Sequence, residues 1–132
     1  MKVVKTYDIE EDYCSFEVAK LLKEKGVSFE LNPYNSISYL PNGEINYWED
    51  DEDCVISPPL QIVMKWLREV HNQNIIVKAH NNVTNLKTLY YTEIQNLLEP
   101  TNTGFCVNGC NFKNTYEEAC DVSIKYCLEN LV

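Results

Sequence analysis

The chain has 132 residues, 20 acids against 11 Lys and Arg for a net charge of −9, and 45% hydrophobic residues. That length and apolar share fit one domain over 1–132 and exclude disorder of the whole chain. The acidic balance argues against direct nucleic-acid binding, which relies on Lys and Arg displacing counterions from phosphates.

Residues 1–13 read as an acidic lead-in, with Val3-Val4 able to open a short strand before Asp8-Ile9-Glu10-Glu11-Asp12. The start lacks the apolar core that export needs, and no run approaches the roughly 20 apolar residues that span a bilayer. A cytoplasmic protein without a membrane partner is expected. In that compartment Cys14, Cys54, Cys106, Cys110, Cys120 and Cys127 should all be reduced.

A first helix is expected from Ser15 to Lys25, with Val18, Leu21 and Leu22 inward and Gly26 as a left-handed stop. Ser36–Leu40 and Glu44–Trp48 alternate around Pro41-Asn42-Gly43, a strong hairpin signal. The acidic loop Glu49-Asp50-Asp51-Glu52-Asp53 follows. Residues 1–57 hold 13 acids and 5 bases, a net of −8, while 58–132 carry −1. The ordinary reading of such runs is a solvated surface; the functional one is attraction of a basic protein.

The helix predicted over 58–72 has Ser57 as its cap and Pro58 at its first position, where a missing N–H does no harm. Leu60, Val63, Met64, Leu67 and Val70 recur at helical spacing. Trp66 beside them is better read as core than as an interface anchor, with Arg68-Glu69 in solvent. Strands are expected at Ile75–Ala79, Leu86–Ile94 and Phe105–Val107, with Asn81-Asn82 as a turn and 97–104 as a loop. The last helix runs from Thr115 to Asn130, with Thr115 and Glu118 at capping-box spacing. Ala119, Val122, Tyr126 and Leu131 form its expected stripe, widened by Cys120, Ile124, Cys127 and Leu128.

The order α-β-β-α-β-β-β-α with short turns predicts an α+β fold, a mainly antiparallel sheet with helices packed on one face. Its second half, α-β-β-β-α, also has the order of double-stranded RNA-binding domains, but without the basic loop that grips phosphate.

Three segments carry a resemblance: Tyr13–Gly26, Met64–His71, and Tyr116–Ala119 with Lys125–Leu131. Together they resemble small uncharacterised proteins encoded by phages, prophages and other mobile elements of gut anaerobes. Pro58-Pro59-Leu60-Gln61 departs from the helix opening of that group, a single proline and a small polar residue. The resemblance implies a cytoplasmic accessory protein and brings no activity and no catalytic residues.

Cys106 and Cys110, with His71 and His80, are the residue types of a zinc site. The spacing is one loose C-x₃-C with no second cluster, so reduced strand and loop cysteines are the plainer reading. A nucleophilic pair can be drawn from Cys14, Cys54 or Cys106 with either histidine, but nothing local selects one, and the acids at 8–12 should raise the pKa of Cys14. The acidic loop lacks the ligand alternation and central glycine of a calcium loop. No cofactor is expected.

Two functions follow. The favoured one is a non-enzymatic interaction protein that meets a basic protein, or a second copy of itself, through Tyr39, Tyr47, Trp48, Asp50, Asp51 and Asp53. One of Tyr90 and Tyr91, which alternate across their strand, should join that exposed set. The alternative is a small-ligand or metal binder, or an enzyme, with a site near Cys106 and Cys110.

Overall fold

The structure is a computed structural model and describes residues 1–3, 12–30, 37–46, 53–99, 104–107 and 111–132. Helix α1 (Phe16–Glu24) begins where Ser15 accepts the Val18 N–H at 3.3 Å. The Ser15 N–H itself donates to the Asp121 carboxylate at 2.8 Å, a contact 106 residues away along the chain. The helix ends before Gly26, whose φ of +72° suits a residue without a Cβ.

Strands β1 (Ile37–Tyr39) and β2 (Ile45–Asn46) form the expected hairpin. The Asn42 side chain accepts the Glu44 N–H at 3.0 Å. Gly43 holds φ +89° with the Phe16 ring 3.3 Å from where a Cβ would stand. A third strand, β3 (Val55–Ser57), pairs antiparallel with the other edge of β1, giving the order β2-β1-β3. It adds one strand to the expected order. Three residues are too few for an alternation to announce themselves.

Helix α2 (Leu60–Val70) starts two residues later than expected, and Ser57 does not cap it. Ser57 closes β3 instead, fully buried, and its hydroxyl donates to the Cys14 carbonyl at 2.5 Å. The orphan N–H of Leu60 donates to the Asp12 carbonyl at 2.9 Å, and the Cys14 N–H donates to the Pro58 carbonyl at 3.0 Å. The chain entering α1 thus supplies the cap as backbone, which makes a side-chain cap redundant.

Asn72, at φ +58°, reverses the chain into a second sheet. Its strands are β4 (Gln73–Asn82), β5 (Lys87–Asn96) and β6 (Phe105–Cys106), in that spatial order and antiparallel. β4 is twice as long as the expected 75–79, β5 matches the expected 86–94 with a shift of one or two residues at its ends, and the turn falls at 83–86 rather than at Asn81-Asn82. Helix α3 (Tyr116–Asn130) is capped by Thr115, whose hydroxyl accepts the Glu118 N–H at 3.1 Å. The fold is α+β, with the expected elements in their expected order and β3 added before α2, arranged as two three-stranded antiparallel sheets.

Helices α2 and α3 cover one face of the second sheet, and α1 bridges α3 and β3. One buried cluster joins Cys14, Val18, Leu22, Leu60, Val63, Leu67, Ile94, Ile124 and Leu128. The buried stripe of α3 is Ala119, Cys120, Ser123, Ile124, Cys127 and Leu128, while Leu131 is exposed. The stripe is therefore centred on the expected flanking residues Cys120, Ile124, Cys127 and Leu128, with Val122 and Tyr126 partly buried at its edge. The small cysteines fill the close approach to the sheet, and Ser123 can be buried because its hydroxyl donates to the Ala119 carbonyl at 2.9 Å. Among the described residues, no helix is long and apolar enough to cross a membrane.

Candidate functional site: the outward face of the long hairpin

Side chains of β4 and β5 alternate between two faces. Ile75, Val77, Thr92 and Ile94 point into the core. The alternate residues Ile76, Lys78 and His80 on β4, and Leu89, Tyr91 and Glu93 on β5, form the outward face, in the register Ile76↔Glu93, Lys78↔Tyr91 and His80↔Leu89. Lys78 donates to Glu93 at 2.9 Å across this face. That hydrogen bond, with the carboxylate's charge, holds the Lys78 ammonium above its usual pKa.

The segment at 111–113 completes the site. Lys113 and Tyr90 exchange both backbone hydrogen bonds, at 2.7 and 2.8 Å. This short pairing places Phe112 on the outward face, its ring centroid 5.2 Å from His80 and 5.4 Å from Tyr91. Phe112 still keeps 42% of its surface exposed. A ring held by two neighbours but open on top is pre-organised for an apolar contact, because little side-chain entropy remains to be lost. Tyr90 points the other way, edge-on to Tyr116 at 6.3 Å. Of the two tyrosines, Tyr91 is the outward one.

The other expected contact residues are differently placed. Tyr39 donates to the Cys14 carbonyl at 3.2 Å and stands edge-on to Phe16 at 5.7 Å, so it braces α1 against the first sheet. Burial, then Asp121 and Cys14, push its phenol pKa up. Asp53 is exposed just before β3. Tyr47, Trp48, Asp50 and Asp51 lie outside the described residues. Trp66 packs against the core, edge-on to Phe29 at 5.7 Å and to His71 at 4.6 Å, while Arg68 and Glu69 are exposed.

The zinc candidates are dispersed. His71 ends α2 against Trp66, whereas His80 lies near the far end of β4, more than about 20 Å along an extended strand. Cys106 is disulfide-bonded, which corrects the expectation of six reduced thiols and removes it as a thiolate ligand. Cys110 lies outside the described residues. Among the described residues no group of three His, Cys, Asp or Glu side chains could hold a metal ion.

Cys14, Cys54, Cys120 and Cys127 are free thiols. Cys14, Cys120 and Cys127 are sealed in the core. Burial pushes Cys120 up to about 11 and Cys127 up to about 12. Cys14 is raised further, by burial first and then by Asp121, a residue of α3 and not one of the acids at 8–12. Such thiols stay protonated and inert, and none has a histidine as base.

Phe112 and Leu89 escaped the sequence reading. The alternation of β5 could have assigned Leu89 to the face of Tyr91. Nothing local marks Phe112, whose position depends on a pairing with a strand more than twenty residues earlier. No protein-family model, curated protein or solved structure matches this chain.

Proposed function

We propose that this chain is a non-enzymatic interaction protein that binds a protein partner through the outward face of β4 and β5. The observation that carries this reading is Phe112, fixed against His80 and Tyr91 yet open to solvent. Aromatic anchors of this kind dominate binding energy where a partner covers them. The partner would bring an apolar side chain to the ring cluster. A basic surface around that anchor suits the chain, because residues 1–57 carry −8 and would steer it in. The three segments that resemble proteins of phages and mobile elements support an accessory role in such an element, in the cytoplasm.

The test is capture from bacterial lysate at low salt, run in parallel with Phe112→Ser and Tyr91→Ser. Both positions are solvent-accessible, so the variants should fold. A specific partner retained by the parent chain and weakened at least about tenfold by each variant supports the reading. Equal capture by parent and variants rejects this face, and no enriched partner rejects the function.

A further inference from the structure

The described sheet edges differ greatly in length. β2, β3 and β6 have two, three and two residues. β4 is also an edge and runs for ten residues, in unbroken register with β5 from Gln73↔Asn96 to Asn82↔Lys87. Brevity blunts the first three edges, whereas a long straight one offers a row of backbone groups to another strand.

Hydrogen-bond parity identifies those groups. The Leu97 N–H donates to the Asn72 carbonyl at 2.8 Å where the β4–β5 ladder begins. Hydrogen-bonded pairs recur at every second residue of an antiparallel ladder, so Asn74, Ile76, Lys78, His80 and Asn82 direct their backbone groups to β5. Tyr90, opposite Ala79, confirms this phase, because it exchanges both its hydrogen bonds with Lys113 on its other side. Gln73, Ile75, Val77, Ala79 and Asn81 therefore aim N–H and C=O away from the sheet. Among the described residues, none hydrogen-bonds to those backbone groups.

The usual guards of an edge are missing from β4. It holds no proline, no glycine and no break in register, and its one charged residue, Lys78, is held by Glu93 at 2.9 Å across the outward face.

The edge is also complementary to itself. A twofold axis through Val77 sets 73 opposite 81 of a second copy, so the whole of 73–81 is matched. Ile75 then faces the small Ala79, Gln73 faces Asn81, and Lys78 faces Ile76, with no like charges opposed. The outward-aimed residues of the two strands meet one another in this register. Each such pair exchanges two hydrogen bonds, which gives about ten, the number a typical protein interface carries.

We propose that the chain binds a second copy of itself by antiparallel pairing of β4 with β4, which joins the two long hairpins into one continuous sheet. Residues of like parity face each other across the axis, so the helices of both copies share one face of the joined sheet and the two Phe112 clusters share the other. The contact is made by backbone at an edge and does not rest on the reading of Phe112.

Light scattering over a series from micromolar to millimolar chain reads the mass directly. The expected result is a rise from 15.4 kDa towards twice that mass. Each copy carries −9, so added salt should tighten the dimer by screening repulsion, the opposite of the low-salt capture expected for a basic partner. Ala79 is exposed and its N–H lies outside the β5 ladder, so Ala79→Pro leaves that ladder whole. Ala79→Lys keeps every backbone group and sets a charge against Ile75 of the second copy, and it carries the test where Ala79→Pro fails to fold. Either change acts twice in a symmetric dimer and should raise its dissociation constant at least about tenfold. Amide exchange locates the contact. The N–H groups of Val77, Ala79 and Asn81 should exchange fast in dilute solution and slowly at high concentration, while those of Ile76, Lys78 and His80 stay protected in both. A single-chain mass at every concentration overturns the proposal, even if an extended peptide of another protein protects the same amides. So does a dimer that Ala79→Lys leaves unweakened, or one in which the amides of Val77, Ala79 and Asn81 exchange as fast as in dilute solution.

Discussion

Thr92 on β5 and Ser123 on α3, both buried, hydrogen-bond to each other through their hydroxyls. The Ser123 hydrogen is given to the Ala119 carbonyl, so Thr92 is the donor of the pair. The chain Thr92→Ser123→Ala119 ties the second sheet to α3 and leaves neither hydroxyl unsatisfied. Among the described residues, no buried side-chain nitrogen or oxygen lacks a partner.

Ser123→Ala should therefore cost about 1–3 kcal/mol, since it strands the Thr92 hydroxyl in the core. Thr92→Val combined with Ser123→Ala removes both polar groups at nearly constant shape. The double variant should be more stable than the sum of the single losses allows. Urea unfolding of the four proteins reads this coupling, and strict additivity would dissolve the link.

Thiol labelling should divide the described free cysteines by burial. Cys54 is only half-buried and accepts a hydrogen bond from the Asn46 side-chain amide at 3.1 Å, whereas Cys14, Cys120 and Cys127 are closed to solvent. In the native protein, peptide mapping after labelling should find Cys54 modified quickly and the other three only on the timescale of unfolding. Labelling of Cys120 or Cys127 as fast as Cys54 would contradict the core described above.

Alkaline pH should destabilise the fold. The buried thiols of Cys120 and Cys127 ionise at about 11 and about 12 in the folded chain, against 9.0 for an unperturbed thiol, and Cys14 is raised as well. Above pH 9 the unfolded state binds fewer protons than the folded one, so stability falls as pH rises. The contribution is fully present below pH 9. Each thiol adds a slope of up to about 1.4 kcal/mol per pH unit until it ionises in the folded state. The urea midpoint should be steady between about pH 7 and 8 and drop by about pH 10, and Cys120→Ala with Cys127→Ala should flatten that drop.

Much of this architecture is written locally. Ser15 and Thr115 cap their helices with the side chains expected of them, Gly26 stops α1, and Asn42-Gly43 turns the first hairpin. Each of these decisions involves residues within about four positions of one another, so a short window contains its whole cause. Ser57 shows the opposite case. Its sequence position is that of a helix cap, but the carbonyl of Cys14 lies within reach and takes its hydroxyl. The candidate site was half legible in the same way. Alternation along β5 separates Tyr90 from Tyr91, but it cannot tell which of them is covered.

The chain alone thus determined an acidic α+β domain, its helices and their caps, and the first hairpin, because propensity, capping and charge act over a turn or two. Tertiary structure decided which way each amphipathic element faces, that three residues before α2 become a strand, that Tyr39 braces the interior, and that Phe112 joins His80 and Tyr91. Those outcomes depend on contacts between residues tens of positions apart. Their free energy comes from burial shared between elements, and no local pattern records it.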